Sequence, residues 1–178
     1  SSPLVFGLTV AFVVLVLVGF SLYGVITRTA ASRLFDRGVE SMEDLDFRNA
    51  VRRFDEFIAA NPTDARVPKA RVHRAMANVR QYTTTAGASW SLALEAEREM
   101  LDKLGSAPEF RDASVDLAEE VLKTGEALAD RARTQADAGL LKEAESAAAL
   151  HGRVAGQAAA AMLKRSRLTE KLAAARAA

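Results

Sequence analysis

The chain has 178 residues, with 24 Lys and Arg against 23 Asp and Glu, no Cys, four Pro and 6% aromatic residues. The nearly balanced charges are interspersed after residue 27, which excludes the basic stripe of a nucleic-acid surface, and the lack of Cys excludes disulfides, thiolate nucleophiles and Cys-ligated zinc. Abundant Ala and few Pro favour an all-α fold, and the length allows one folded domain with a core of ordinary size.

A long apolar segment, LVFGLTVAFVVLVLVGFSLYGVI, runs from Leu4 to Ile26. As a helix it would be about 34 Å long, enough to cross a hydrocarbon core of about 30 Å. The alternatives are a buried core helix, which normally carries a polar face, and a cleaved signal peptide, whose apolar region is usually shorter. We therefore predict a single transmembrane helix within residues 1–27, with the lipid bilayer as its partner.

The segment from Ser32 to Pro62 predicts a helical hairpin. Its first helix carries apolar residues at helical spacing between residues 31 and 42. Asp46 is then placed to accept hydrogen bonds from the free N–H groups at the start of the second helix. The second helix, Phe47 to Ala59, has an apolar side and a charged side, and it ends before Pro62, through which a helix does not easily continue.

The pattern of this hairpin recurs along the chain. The spacing of Ala50, Phe54 and Pro62 returns at Ala96, Met100 and Pro108, and a weaker copy without Pro lies at Gly139, Leu141, Ala144 and Ala148. We predict antiparallel helical hairpins in units of about 31–62, 65–108 and 109–152, followed by a C-terminal capping or linker helix over residues 153–178.

These residues resemble the tetratricopeptide repeats, whose pattern has a small residue in the first helix, then A-x3-F and a later Pro in the second. The resemblance implies a short α-solenoid, in which Gly38 and Ala50 let two helices approach closely and Phe54 fills the space between adjacent repeats. The matching residues are Gly38, Phe47, Ala50, Phe54 and Pro62. Leu34, Arg37 and Ser41 depart from the pattern, because the family favours Trp, Leu and an aromatic residue there.

Four further helices are predicted, spanning Pro68 to Gln81, Ser91 to Leu104, about Pro108 to Ala136, and Leu140 to Ala149. The loop from Tyr82 to Trp90 is long and polar, and such loops are often functional. Trp90 itself is more typical of packing than of recognition. Ser106 and Glu109 have the spacing of a capping box for the next helix.

The sequence shows no pattern of catalytic or metal-binding residues. His73 and His151 lie far apart without a second ligand type, and they are interpreted as exposed or hydrogen-bonded helix residues. The common nucleophile, phosphate and zinc motifs are missing. Carboxylate pairs such as Glu119 and Glu120 are typical of a solvated helix face. We therefore expect no enzymatic activity and no cofactor.

A polar stripe on the predicted helix from Pro68 to Gln81 is the candidate partner-binding site. Arg71, Arg74, Asn78 and Gln81 are spaced i, i+3, i+7 and i+10, so they project from one side of the helix. By resemblance, the first helix of each tetratricopeptide repeat lines a concave groove that holds extended peptides or C-terminal carboxylates. An ordinary exposed helix face is the alternative interpretation of the stripe.

Two functions follow as expectations. The first is a single-pass, membrane-tethered scaffold or adaptor that brings a protein partner to the membrane. The second is an accessory structural subunit, or the N-terminal segment of a larger bacterial membrane protein complex, which the start without Met and the Ala-rich end favour. We expect an extracytoplasmic folded part by resemblance to bacterial envelope repeat proteins, although Arg28, Arg33 and Arg37 alone favour the cytoplasmic side.

Overall fold

The computed structural model describes residues 15–16, 29–84, 87–155 and 167–177, which form α-helices joined by short turns. Helix α1 occupies residues 29–43 and is followed by α2 (Phe47–Ala60), α3 (Val67–Thr83), α4 (Trp90–Leu104), α5 (Phe110–Gln135), α6 (Ala138–Ala155) and α7 (Leu168–Arg176). The all-α prediction is confirmed for these residues. The predicted helices between residues 31 and 149 match the observed ones within about two residues, except that α6 continues to Ala155.

The predicted transmembrane segment from Leu4 to Ile26 lies outside the described residues, apart from Leu15 and Val16, which are helical and exposed. Among the helices that the structure describes, none combines the length and the apolar character needed to cross a bilayer. The helical array after residue 28 is therefore observed, and the anchor stays a prediction.

Local hydrogen bonds set both ends of α2. The Asp46 side chain accepts a hydrogen bond from the backbone N–H of Asn49 at 3.3 Å and caps the helix, as predicted. At the other end, the backbone N–H of Asn61 donates to the carbonyl of Phe57 at 3.0 Å. The N-cap and proline signals thus located α2 to within one residue.

The predicted capping box at Ser106 and Glu109 is wrong. Helix α5 begins at Phe110, and Glu109 makes no side-chain cap hydrogen bond. The physical reason is Pro108, because a proline disfavours the helical conformation of the residue before it, here Ala107. A turn forms instead, in which the Ala107 carbonyl accepts a hydrogen bond from the Phe110 N–H at 3.0 Å.

Most of the helices pack against their neighbours in the chain, and several also pack against the next but one. Contacts join α2 to α3, α3 to α4, α4 to α5 and α5 to α6, and further contacts join α3 to α5, α4 to α6, and α7 to both α5 and α6. One buried apolar cluster joins α1, α2 and one part of α3, and a second joins another part of α3 to helices α4 to α7. This packing is compatible with a helical repeat.

Gly38 brings α1 close to α2, as the repeat pattern predicted. A Cβ atom at Gly38 would lie 2.7 Å from Cε1 of Phe54, which is too close for two carbon atoms. The Phe54 ring is fully buried, makes an edge contact with Phe35 of α1, and stacks on His73 of α3 with 5.6 Å between ring centroids. Phe54 therefore fills the space between the first hairpin and the next helix.

Arg66 connects the turn between α2 and α3 to the first described turns of α1. Its guanidinium donates to Asp64 at 2.8 Å and to Ser32 Oγ at 2.9 Å, and it lies over the rings of Phe35 and Phe57. These hydrogen bonds to Asp64 lower the pKa of its carboxyl group to about 2. The N-terminal part of α1 that the structure describes is thus held by a charged side chain as well as by apolar packing.

Candidate functional site

Three of the four stripe residues line one groove. Arg71, Arg74 and Asn78 of α3 lie around it with Glu99 and Lys103 of α4, and the groove has a volume of about 170 Å³. We name it the α3–α4 groove. Its apolar walls are formed by Ala75, Ala96, Met100 and Leu104.

The charged side chains of the α3–α4 groove are paired, except for Arg71. Arg74 Nε lies 2.5 Å from Asp55 Oδ1 of α2, and Lys103 Nζ lies 2.5 Å from Glu99 Oε1. The hydrogen bond from Lys103 lowers the pKa of the Glu99 carboxyl group. Exposed pairs of this kind contribute at most about 1 kcal/mol each. Arg71 is exposed and has no ion pair among the residues described, so it presents a free guanidinium beside an apolar wall.

Gln81 lines a different hollow. Its side-chain Nε2 donates to Asn78 Oδ1 at 2.5 Å, which connects it to the stripe. The hollow that it lines lies beside the turn between α1 and α2, has a volume of about 420 Å³, and is bordered by Leu45, Tyr82 and Leu92. We name it the turn depression.

A third groove lies between α1, α3 and α5, the first helices of the three predicted units. Its apolar lining includes Met42, Met76 and Ala113, and its volume is about 320 Å³. It uses residues 69, 72, 73, 76 and 80 of α3, which the helical period places on the opposite side of α3 from Arg71, Arg74 and Asn78. The structure therefore brings Arg71, Arg74 and Asn78 together in the α3–α4 groove. This is not the groove between the first helices, where the tetratricopeptide resemblance placed the binding surface.

A charged network joins α3 to α5 at one end of this third groove. Arg80 donates to Asp116 Oδ2 at 3.0 Å and to Glu120 Oε1 at 3.4 Å, and the Thr83 hydroxyl donates to Glu120 Oε2 at 3.0 Å. The interpretation of Glu119 and Glu120 as a solvated pair is wrong for Glu120, because its side chain is only 15% exposed and holds two elements together.

A carboxyl group is buried between α4 and α5, and the sequence analysis missed it. Glu97 is fully buried, and its Oε1 accepts a hydrogen bond from Thr124 Oγ1 at 2.6 Å. Burial raises the pKa of the Glu97 carboxyl to about 8, and the Thr124 hydrogen bond offsets this only in part. A signal was present in the sequence, because Glu97 follows Ala93 by four residues and precedes Met100 by three, which places it on the apolar side of α4.

The two histidines have different surroundings. His151 of α6 is fully buried, and neither ring nitrogen has a hydrogen-bond partner in the part of the chain that the structure describes. His73 is half-buried against Phe54. Burial lowers the pKa of both imidazoles, with a smaller effect of Lys69 on His73. The interpretation of both as exposed or hydrogen-bonded residues is therefore wrong for His151.

These groups form no metal site within the described ranges, where no three His, Asp or Glu side chains are placed to hold a metal ion. The grooves instead combine apolar walls with charged rims, an arrangement suited to holding a segment of another protein. Comparisons with protein-family models, with curated proteins and with solved structures find no match. The tetratricopeptide resemblance therefore rests on the residue pattern around Gly38 and Phe54.

Proposed function

We propose that this protein is a membrane-tethered, tetratricopeptide-like scaffold or adaptor that binds a protein partner and performs no catalysis of its own. One observation carries the proposal: Arg71, Arg74 and Asn78, which share a side of α3, border a single groove with an apolar wall. A scaffold needs a surface of this kind, in which polar groups orient a segment and apolar groups retain it.

The partner that fits this groove best carries a carboxylate next to an apolar side chain. The free guanidinium of Arg71 can donate two hydrogen bonds to a carboxylate. Arg74 can turn from Asp55 to the partner at small cost, because an exposed ion pair is weak. Met100 and Leu104 then provide the contact for the apolar side chain.

The tether in this proposal is the apolar segment from Leu4 to Ile26. Its length and composition support a single crossing of the bilayer. Since the described part of α1 begins at residue 29, three residues after Ile26, the helical array would be held near the membrane surface. We place the array on the extracytoplasmic side, as the resemblance to envelope repeat proteins suggests.

The proposal is tested by reversing the free charge of the groove. The partner is first identified by crosslinking to the wild-type chain. Arg71→Glu should then weaken its capture at least about tenfold, because an attractive contact to a carboxylate becomes repulsive. Arg74→Glu should act in the same direction. Capture is measured by pull-down of the full chain from solubilised membranes, and circular dichroism checks that helical content is unchanged.

Arg131→Glu is the matched control, because Arg131 is an exposed arginine of α5 without an ion pair among the described residues. It should leave partner capture unchanged. Equal capture by the wild type and by both groove variants would overturn the assignment of the α3–α4 groove.

The second candidate is an accessory structural subunit, or the N-terminal segment of a larger bacterial membrane complex. In such a complex, Val115 of α5, which is 58% exposed, would be an apolar residue available for a permanent contact. Mass measurement after mild detergent extraction separates the two candidates. A stable complex that survives Arg71→Glu supports the structural subunit, and a monomer supports the adaptor.

A further inference from the structure

The turn between α1 and α2 contains a leucine in an unfavourable conformation. Leu45 has φ of 60°, in the left-handed region. Its backbone N–H donates to the Met42 carbonyl at 3.1 Å, and the N–H of Asp46 donates to the Ser41 carbonyl at 2.9 Å. This is the Schellman arrangement of a helix end, in which glycine is the favoured residue because a Cβ atom makes the left-handed conformation costly.

The Leu45 side chain is not compensated by burial, because it is 65% exposed. Glycine would adopt this backbone conformation at lower cost, and a polar side chain would be better solvated at this exposed position. Strained backbone conformations of this kind are concentrated at functional sites. Leu45 thus presents an apolar side chain to solvent at the expense of backbone stability.

A second exposed leucine borders the same hollow. Leu92 of α4 is 45% exposed, and it lines the turn depression together with Leu45 and the half-buried Tyr82. The volume of about 420 Å³ is large enough for one or two apolar side chains of another protein. Two exposed leucines from different elements thus line one hollow, together with polar side chains such as Arg48 and Gln81.

The charges around these leucines are mainly negative. Glu43 and Asp44 directly precede Leu45, Glu95 lies one helical turn after Leu92, and all three are exposed without an ion pair in the described residues. The depression itself is lined by one anion and one cation, Asp46 and Arg48, whose charges balance. The residues that flank the two leucines thus carry an excess of carboxylates, which attracts a cationic segment and repels an anionic lipid surface.

We propose that the turn depression is a docking site for a protein segment that inserts an apolar side chain between Leu45 and Leu92 and places Lys or Arg beside Glu43, Asp44 or Glu95. The site is separate from the α3–α4 groove, which attracts carboxylates, and it does not depend on that groove being functional. The two surfaces would select partners of opposite charge.

The test uses the full ¹⁵N-labelled chain in an uncharged detergent and three synthetic peptides. The peptides are Ac-Lys-Leu-Gly-Leu-Lys-NH2, its Glu-for-Lys counterpart and its Ser-for-Leu counterpart. Only the first should shift the amide resonances of Leu45, Tyr82 and Leu92. Leu45→Gly should raise its dissociation constant about tenfold, because burial of the leucine side chain is lost, and should raise the thermal unfolding midpoint, because glycine relieves the turn.

Ala136→Gly is the matched control, because Ala136 is the other described non-glycine residue with positive φ and lies at the end of α5. It should raise the unfolding midpoint and leave peptide binding unchanged. The proposal is overturned if the first peptide does not bind, if Leu45→Gly binds it as the wild type does, or if the Ser counterpart binds equally well. The amide resonances could instead broaden with protein concentration in the wild type but not in Leu45→Gly, without any peptide binding. That result would assign the site to a second copy of this chain and would also overturn the proposal.

Discussion

At the level of single residues, Glu97 keeps a proton that an exposed glutamate would lose. Its carboxyl pKa is about 8 in the folded protein, against an ordinary value of 4.5. The folded state therefore binds this proton more tightly than the unfolded chain does. The stabilisation from Glu97 is complete below pH 4.5 and is lost as the pH rises towards 8.

We expect the free energy of unfolding to fall as the pH rises from 7.5 to 8.5, by roughly 0.7 kcal/mol over that interval. In this window His73 and His151 contribute little, because burial lowers their pKa in the folded state and an unfolded histidine, with its ordinary pKa of 6.5, is already mostly neutral above pH 7.5. Glu97→Gln should remove the slope, since glutamine stays neutral and can still accept the Thr124 hydrogen bond. Urea titrations of the full chain at several pH values, followed by circular dichroism, measure the slope.

Glu95→Gln serves as the control for this prediction, because Glu95 is exposed on the same helix. It should keep the slope of the wild type. A slope that persists in Glu97→Gln would show that another group releases the proton.

Several residues that matter in the structure carried weak signals in the sequence. Glu97 could have been placed on the apolar side of α4 by its spacing. Arg66 could not have been linked to Ser32, because 34 residues separate them and only the packing of α1 on α2 and α3 brings them together. The conformation of Leu45 was also hidden, since glycine is the usual signal for a helix end of this type.

At the level of helices, the predicted positions of α1 to α6 match the structure to within about two residues, apart from the C-terminal end of α6. They were derived from the hydrophobic period, the helix caps and the prolines in the sequence. The same signals could not decide which side of α3 faces which neighbour. Val72, Met76 and Val79 belong to one buried cluster, and Ala70 and Ala77 belong to the other, so apolar residues surround much of this helix. The stripe was therefore recognised as a set, but its position in the α3–α4 groove depends on how α2 and α4 pack, which no local pattern encodes.

The approach of α1 to α2 gives a prediction at this level. Gly38→Ala should destabilise the protein by about 1 to 3 kcal/mol, because the new Cβ atom would meet the buried Phe54 ring, which is itself held between Phe35 and His73. The free energy of unfolding from urea titration measures the effect.

Gly152→Ala is the matched control, because Gly152 lies within α6 and a Cβ atom there would meet nothing within 4 Å. It should stabilise the protein by about 0.5 to 1 kcal/mol through helix propensity. If Gly38→Ala is also stabilising, the contact between α1 and α2 is looser than described.

At the level of the whole molecule, α3 is the element that the two apolar clusters share. Contacts run mainly between helices that are adjacent or next but one in the chain, so a perturbation at one end has few direct routes to the other. Proteins built in this way open locally, with stability that is a sum of neighbouring contributions. Amide hydrogen exchange should therefore resolve two regions that meet in α3.

Two core substitutions test this division by hydrogen exchange of the full chain. Phe57→Leu, in the cluster of α1 and α2, should speed exchange in α1, α2 and α3 and leave α5 and α6 nearly unchanged. Leu128→Ala, in the other cluster, should speed exchange in α3 to α7 and spare α1 and α2. Each removes fully buried side-chain volume, with an expected loss of about 1 to 4 kcal/mol of local stability. Equal acceleration of all helices by both variants would mean that the array unfolds as one cooperative unit, and the role of α3 as a shared boundary would be lost.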